Sequence, residues 1–154
     1  MVTLESMARE DLINLNVKAD TKKIAIDVLA NMMHSKGIVS DTTEFTKSVL
    51  LSELEKTNNK GNGIALTRGR SAAVTSCAIA IGRLTKSISW EDYGEPVDII
   101  VLAAVPESNM DFDRLDLMGL ISEMLGSITV VSDLYNIQTP GEMREAMVGH
   151  ITEF

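Results

Sequence analysis

The clearest helical pattern lies between Asp20 and Gly37. Asp20 or Thr21 can accept hydrogen bonds from the free N–H groups of a first helical turn, and Gly37 suits a left-handed helix end. Apolar side chains recur between them at the spacing of one helix face, at Ile24, Val28, Leu29, Met32 and Met33. The pattern therefore predicts a helix that buries this face.

A second helix is predicted to begin at Asp41, because Glu44 follows three residues later as a capping partner. Its buried stripe is predicted to include Phe45, Val49 and Leu54.

Two further helices are predicted in the second half of the chain. Helical spacing returns from Asp113 to Leu125. The segment Thr139-Pro140-Gly141-Glu142 is typical of a helix start, since it has threonine at the cap, proline in the first turn and glutamate at the third position.

Three apolar runs predict strands, at Ile64–Leu66, Ala73–Ile81 and Val97–Val105. The last is broken only by Asp98, and such a run belongs in a sheet interior. Intermixed helices and strands predict an α/β sandwich, with a central mixed sheet flanked by helices on both faces. Since no linker or repeat interrupts the chain, a single domain over residues 1–154 is expected.

Composition narrows the class of function. The 154 residues include 14 basic and 22 acidic side chains, for a net charge of −8, which disfavours binding to nucleic acid or to an anionic membrane. No apolar stretch has the length of a membrane span and no secretory signal is evident, so a cytoplasmic protein without membrane insertion is expected. One cysteine, Cys77, and two histidines, His34 and His150, predict no disulfide, metal site or other cofactor.

The only glycine-rich segment, Lys60 to Arg70, matches neither a Walker loop nor a dinucleotide fingerprint. By itself it indicates a tight turn that leads into a strand. His34, His150 and Cys77 stand in no recognisable catalytic setting. From the residues alone, the chain is an α/β domain without an assignable reaction.

Several segments, in this order, resemble the enzyme IIA family of the bacterial phosphotransferase system (PTS), in its fructose/mannitol class and nitrogen-regulatory branch. The similarity covers about residues 12 to 150. The segments that carry it are Ile13-Asn-Leu-Asn-Val-Lys-Ala-Asp-Thr-Lys-Lys23, Ala25-Ile-Asp-Val-Leu-Ala30, Gly37-Ile-Val39, Gly61-Asn-Gly-Ile-Ala-Leu66, Gly94-Glu-Pro-Val-Asp98, Pro106-Glu107 and Arg114-Leu-Asp-Leu-Met118.

The resemblance implies a phosphoryl carrier in which a histidine, preceded by proline, follows the Gly-Ile-Ala-aliphatic strand. In this chain those two positions hold Thr67 and Arg68. A second family histidine opens the helix after the Pro-Glu loop, and here that position is Arg114. A family arginine before a glutamate, at the end of the second helix, corresponds to Ser52 before Glu53.

These departures predict a domain that keeps the fold and has lost the carrier activity. A neutral imidazole offers a nucleophilic lone pair, whereas a guanidinium stays protonated and offers none. The chain is therefore predicted not to be an enzyme and to regulate a partner protein, such as a transporter, a kinase or a PTS component, as a monomer or dimer.

If the family's paired histidines are a guide, Arg68 and Arg114 lie close together and bind an anion such as phosphate or a phosphorylated metabolite. The candidate site residues are Arg68, Arg114, Thr67, Asn62 and Glu53. The alternative is that Glu53, Asp111 or Asp113 neutralises the arginines. Two other functions stay open: an active PTS phosphoryl carrier, and a sensor of small anions.

Overall fold

The computed structural model of the chain describes residues 3–55, 62–90, 96–108 and 116–151. These residues form ten elements along the chain. The elements are α1 (Leu4–Met7), β1 (Ala8–Val17), α2 (Lys22–Ser35), α3 (Thr42–Glu55), β2 (Ile64–Ser71), β3 (Ala78–Ile88), β4 (Val97–Pro106), α4 (Leu117–Met124), α5 (Ile128–Asn136) and α6 (Pro140–Ile151).

The four strands form one mixed sheet in the order β1-β3-β4-β2. β1 pairs parallel with β3, β3 pairs antiparallel with β4, and β4 pairs parallel with β2. Helices cover both faces, so the predicted sandwich is confirmed. The most apolar run, β4, lies inside the sheet and is buried along almost its whole length, as its pattern predicts.

Helix α2 confirms the predicted signals at both ends. The Thr21 side chain accepts a hydrogen bond from the N–H of Ile24, and Gly37 takes a positive φ of 77° just beyond the helix. The predicted buried face is partly wrong, because Ile24 is 45% exposed. The face toward the sheet is instead formed by Ala25, Ile26, Leu29, Ala30 and Met33.

Helix α3 starts as predicted, since the Asp41 carboxylate accepts a 3.1 Å hydrogen bond from the N–H of Glu44. Phe45 and Val49 are fully buried, which confirms two members of the predicted stripe. The third is wrong, because Leu54 is 83% exposed. Leu54 is nine residues after Phe45, about 180° around the helix at 3.6 residues per turn.

Two predicted strands have different bounds in the structure. β2 extends to Ser71, so the glycine-rich segment continues as a strand through Arg68. The run predicted at Ala73–Ile81 begins later, at Ala78, and continues to Ile88 because it pairs with β4 up to Val97. The strand β1 and the helices α1 and α5 are absent from the sequence prediction.

The C-terminal helices pack on the face of the sheet opposite α2 and α3. α6 begins at Pro140 as predicted, and the Thr139 hydroxyl accepts a 3.2 Å hydrogen bond from the N–H of Glu142. α4 begins at Leu117, later than predicted, because Asp116 takes a left-handed conformation and caps the helix; the rest of the predicted start, residues 113–115, lies outside the described residues. Apolar side chains of α4, α5 and α6 form one core with alternate residues of the sheet.

No single helix among the described residues has the length and apolar composition to cross a membrane. The pair α4 and α5 passes such a test only when taken together, with a bend of 77° between the two helices. Both helices bury their apolar faces in the core, at Leu117, Ile121, Met124, Val130 and Leu134.

Candidate functional site

The sheet register determines which face the Arg68 side chain occupies. β2 runs parallel to β4, with Arg68 opposite Ala103 and Thr67 opposite Leu102. Ala103 belongs to the core under α4, α5 and α6, and Leu102 to the core under α2 and α3. Because side chains alternate along a strand, Arg68 faces the C-terminal helices and Thr67 faces α2 and α3.

Arg68 is half-buried near the carboxyl end of β2. Within the described part of the chain, no hydrogen bond and no ion pair involves its guanidinium. A guanidinium carries five N–H donors and remains charged, and a partly desolvated charge is stabilised by a carboxylate or another anion. The position is therefore chemically suited to an anionic group.

Thr67 lies on the opposite face and is completely buried. Its hydroxyl has no hydrogen-bond partner among the residues that the structure describes. A buried hydroxyl without a partner lowers stability by about 1–3 kcal/mol. Because the sheet separates the side chains of Thr67 and Arg68, the two side chains do not hold one ligand together.

A cleft of about 620 Å³ lies at the carboxyl end of β2, against the N-terminal half of α3. Arg70 lines it, two residues beyond Arg68, together with Lys47 of α3. Three acidic side chains, Asp41, Glu44 and Glu107, line the same cleft. It therefore combines both signs of charge.

Glu53 belongs to a buried cluster that holds two helices and a loop together. Its side chain is 3% exposed and lies 2.8 Å from the Lys22 ammonium at the start of α2. The indole N–H of Trp90, which follows β3, donates a 2.8 Å hydrogen bond to the same Oε1 atom. The Lys22 ammonium also lies 4.8 Å from the centre of the Trp90 ring, within the range of a cation–π contact.

This arrangement argues against one predicted role of Glu53. It sits in the α2–α3 layer and is engaged by Lys22 and Trp90, whereas Arg68 faces the opposite layer. The described contacts of Glu53 therefore do not support its pairing with Arg68, and a role toward Arg114 stays a prediction. Arg114, Asp111 and Asp113 lie outside the described residues.

Asn62 lies at the amino end of β2. Its amide donates a 3.1 Å hydrogen bond to the Leu125 carbonyl, and its side-chain oxygen accepts a 3.3 Å bond from the N–H of Ile64. Six residues of extended strand separate Asn62 from Arg68, a span of about 20 Å. The structure therefore does not bring these two predicted site residues together.

The amino end of β2 is closed by a set of hydrogen bonds around Asp98. The Tyr135 hydroxyl donates to the Asp98 carboxylate at 2.9 Å and lies 3.1 Å from the Asn62 carbonyl, while Ser87 donates to the other carboxylate oxygen. Burial, followed by the hydrogen bond to Asp98 and the Asp98 charge, raises the pKa of Tyr135 to about 12. Gly63 adopts a φ of 83° beside this set.

Sequence reasoning missed several of these residues. Lys22, Trp90 and Tyr135 come together from distant segments, and no local motif marks such contacts. Arg70 had no usable signal, because alternation from Arg68 would place it toward the C-terminal helices, whereas it lines the cleft beside α3 at the end of the strand. His34 has a local role, since its Nδ1 atom lies 2.8 Å from the Val39 carbonyl. The side chain of His150 is outside the described residues.

Solved structures share this fold. The nitrogen regulatory protein IIA-Ntr from Neisseria meningitidis superposes with a TM-score of 0.82 at 17% identity, over 93% of this chain and 97% of that one. Enzyme IIA mannitol, solved in complex with phosphorylated enzyme IIB mannitol from Escherichia coli, gives a TM-score of 0.72 at 18% identity, over 90% and 95% of the two chains. The class of fold is that of the PTS IIA proteins.

The sequence match is equally extensive. The family model for the phosphoenolpyruvate-dependent sugar phosphotransferase system, EIIA 2, matches residues 6–148, and the chain belongs to this family. A relative, the PTS system 2-O-alpha-mannosyl-D-glycerate-specific EIIABC component of Escherichia coli K12, is 27% identical over 149 residues, or 96% of this chain. The chain spans 23% of that protein's length.

Proposed function

We propose that this chain is a single PTS IIA-type domain that no longer carries a phosphoryl group and acts by binding. The observation that supports the proposal is the residue at position 68. The resemblance puts the acceptor histidine there, and this chain has an arginine on a strand, half-buried and without an ion pair among the described residues. A guanidinium cannot form the phosphoramidate bond that an imidazole forms.

The proposed ligand of Arg68 is an anion. Charge-assisted hydrogen bonds from a guanidinium to phosphate or carboxylate are among the strongest that a protein makes. On a body with a net charge of −8, a guanidinium that has no ion pair within the described ranges would form a local positive site. Arg114, whose neighbourhood lies outside the described residues, remains the proposed second member of the site.

The proposed partner is a protein of the same transport system or a regulated target. The fold neighbour IIA mannitol is solved in complex with phosphorylated enzyme IIB mannitol, so this fold can present a surface to a phosphorylated protein. Arg68 would contact the acidic or phosphorylated group of such a partner without accepting the phosphate.

A transfer assay with phosphoenolpyruvate and the general PTS carriers tests the loss of activity. The wild-type chain is expected to retain no label, and a histidine-bearing IIA protein serves as the positive control. Arg68→His is expected to gain an acid-labile label, since a neutral imidazole is restored at the proposed acceptor position. Label on the wild-type chain that disappears in His34→Gln or His150→Gln would contradict the proposal and support an active carrier.

Calorimetric titration with inorganic phosphate and with sugar phosphates tests the anion site separately, and also the second candidate function of an anion sensor. Binding is expected to weaken at least tenfold in Arg68→Ala, because a charge-assisted bidentate contact is removed. Arg9→Ala, which removes an exposed arginine paired with Asp11 on β1, is the matched control and is expected to leave binding unchanged. Absence of binding to wild type would leave protein contacts as the site's only role and reject the sensor.

A further inference from the structure

Helix α3 carries apolar side chains on its solvent side as well as on its buried side. Phe45 and Val49 face the core, whereas Leu51 is 53% exposed and Leu54 is 83% exposed. A helix that covers a sheet normally presents charged and polar residues to water. The exposed leucines therefore need a reason beyond the packing of the sheet.

These leucines belong to the wall of a cleft between α2 and α3. Its volume is about 530 Å³, within the usual range of small-ligand pockets. One end is apolar and is lined by Leu50, Leu51 and Leu54. The other end is polar and is lined by Asn31, Thr42, Thr43, Thr46 and Lys47, and the ion pair of Lys23 with Asp27 on α2 completes the lining.

Thr46 provides an independent sign that the polar end lacks a partner. It is 5% exposed and lines the cleft, and its hydroxyl makes no hydrogen bond within the described residues. A buried hydroxyl without a partner is unfavourable, and a ligand group in the cleft could bond to this one only after the Thr46 side chain turns it toward the cleft.

The charges at the polar end favour an anion. Lys47 forms no ion pair within the described part of the chain, whereas Lys23, at the other end, is engaged by Asp27 at 2.8 Å. Thr42 and Thr43 form the first turn of α3, where the helix dipole is positive. The one acidic residue of the described chain that lines this cleft, Asp27, is paired with Lys23, whereas Asp41 and Glu44 line the neighbouring cleft at Arg70, which Lys47 also borders.

We infer that the α2–α3 cleft binds a small amphiphile with a carboxylate at one end and an aliphatic chain at the other. The carboxylate lies at Lys47 and the threonine hydroxyls, and the chain lies along the three leucines. Eleven residues of helix separate Thr43 from Leu54, a length of about 16 Å. A helix of a partner protein fits less well, because it would need apolar anchors along the whole cleft, whereas the apolar lining here is confined to one end.

This site is independent of Arg68 and of the proposed loss of phosphoryl transfer. Titration with sodium decanoate, by calorimetry and by amide chemical shifts, tests it. Decanoate is expected to bind with saturation, and shifts are expected to cluster on α2 and α3. 1-Decanol, which has the same chain without the charge, is expected to bind at least fivefold more weakly.

Three substitutions test the apolar end, the lysine charge and the buried hydroxyl separately. Leu54→Glu is expected to weaken decanoate at least tenfold, and Lys47→Gln about fivefold. Thr46→Val, which keeps the shape of the side chain, is expected to weaken it about threefold. The matched controls are Leu120→Glu, an exposed leucine on α4, and Lys86→Gln, an exposed lysine on β3, and both are expected to stay within twofold of wild type.

Each contrary result overturns the proposal. Absence of saturable binding below the micellar concentration rejects the site. Equal weakening by Leu120→Glu and Leu54→Glu would indicate nonspecific adsorption. Equal affinity for 1-decanol, with no effect of Lys47→Gln, would reject the carboxylate. Binding of an acidic amphipathic peptide without binding of decanoate would assign the cleft to a protein helix instead.

Discussion

The two ends of the β2–β4 strand pair differ in how completely their polar groups are satisfied. At the amino end, Asn62, Asp98 and Tyr135 form a closed set of hydrogen bonds around the turn at Gly63. Toward the carboxyl end, the Thr67 hydroxyl and the Arg68 guanidinium have no partner among the described residues. The first arrangement maintains the fold, whereas the second leaves a buried hydroxyl and a half-buried guanidinium without partners in the described part of the chain.

The contrast also separates the predicted site residues that maintain the fold from the one that remains a candidate for ligand binding. Asn62 serves the turn, and Glu53 serves the contact between α2, α3 and Trp90. Both belong to the scaffold on the evidence of their partners. Arg68 alone, among the predicted site residues that the structure describes, combines charge, partial burial and the lack of a partner.

The largest effect is expected from a substitution that disrupts the amino end of the β2–β4 strand pair. Gly63→Ala is expected to lower the free energy of unfolding by about 2–4 kcal/mol, because φ is 83° and a Cβ atom would lie 2.8 Å from the Asp98 carboxylate and collide with the Tyr135 hydroxyl. Urea denaturation measures it. Gly37→Ala is the control, since φ is 77° and nothing lies within 4 Å, so only backbone strain of about 1–2 kcal/mol is expected. Equal losses would show that the collision is relieved by movement of Tyr135.

Removal of the buried charge at Glu53 is expected to have the next largest effect. Glu53→Gln should lower the free energy of unfolding by about 2 kcal/mol, because Lys22 loses its counter-ion in a site that is mostly shielded from water. Trp90 is the only tryptophan, so its fluorescence should report the change directly. Asp27→Asn, which removes the exposed partner of Lys23, is expected to change stability by less than about 0.5 kcal/mol. A similar loss in both variants would contradict the structural role of burial.

The buried Thr67 hydroxyl, which has no hydrogen-bond partner among the described residues, offers a test in which the free energy of unfolding should increase. Thr67→Val is expected to raise the free energy of unfolding by about 1 kcal/mol, because an unsatisfied buried hydroxyl is replaced by a methyl group of the same shape. Thermal and urea unfolding measure the change. Thr139→Val removes a hydroxyl that caps α6 and is expected to lower stability by about 1 kcal/mol. Destabilisation by Thr67→Val would mean that the hydroxyl has a partner in solution.

The smallest effect concerns alkaline pH. The pKa of Tyr135 is about 12 in the folded chain, raised by burial and by Asp98 from an ordinary value of 10.0. Since the folded pKa exceeds the unfolded one, the contribution to stability is present below pH 10 and is lost as the pH rises toward 12. Absorbance titration of tyrosinate should show one late transition that Tyr135→Phe removes. Ionisation of both tyrosines near pH 10 would contradict the hydrogen-bonded set at Asp98.

Local signals predicted the ends of helices well because the interactions involved are themselves local. The caps at Thr21, Asp41 and Thr139 each join residues three positions apart. The strand β1 escaped prediction because its first half is charged and its alternation is irregular, with two register shifts against β3. The helix α5 escaped because it begins with β-branched residues, which favour strands in isolation.

Contacts between distant segments decided the cases in which local propensity and structure disagree. In α5, Val130 and Leu134 are one turn apart and bury together against the sheet, which outweighs the weak helix propensity of the segment. The length of β3 was set by its pairing with β4, which no property of the β3 residues alone could indicate.

The sequence by itself determined the chemical identity of position 68, the helix caps and the central position of β4, because each depends on a single residue or on neighbours along the chain. The tertiary structure alone decided the surroundings of those residues. It put Thr67 and Arg68 on opposite faces of the sheet, joined Glu53 to Lys22 and Trp90, and exposed Leu54 beside the α2–α3 cleft. These are contacts between distant segments, and they exist only after the sheet register and the packing of the helices are established.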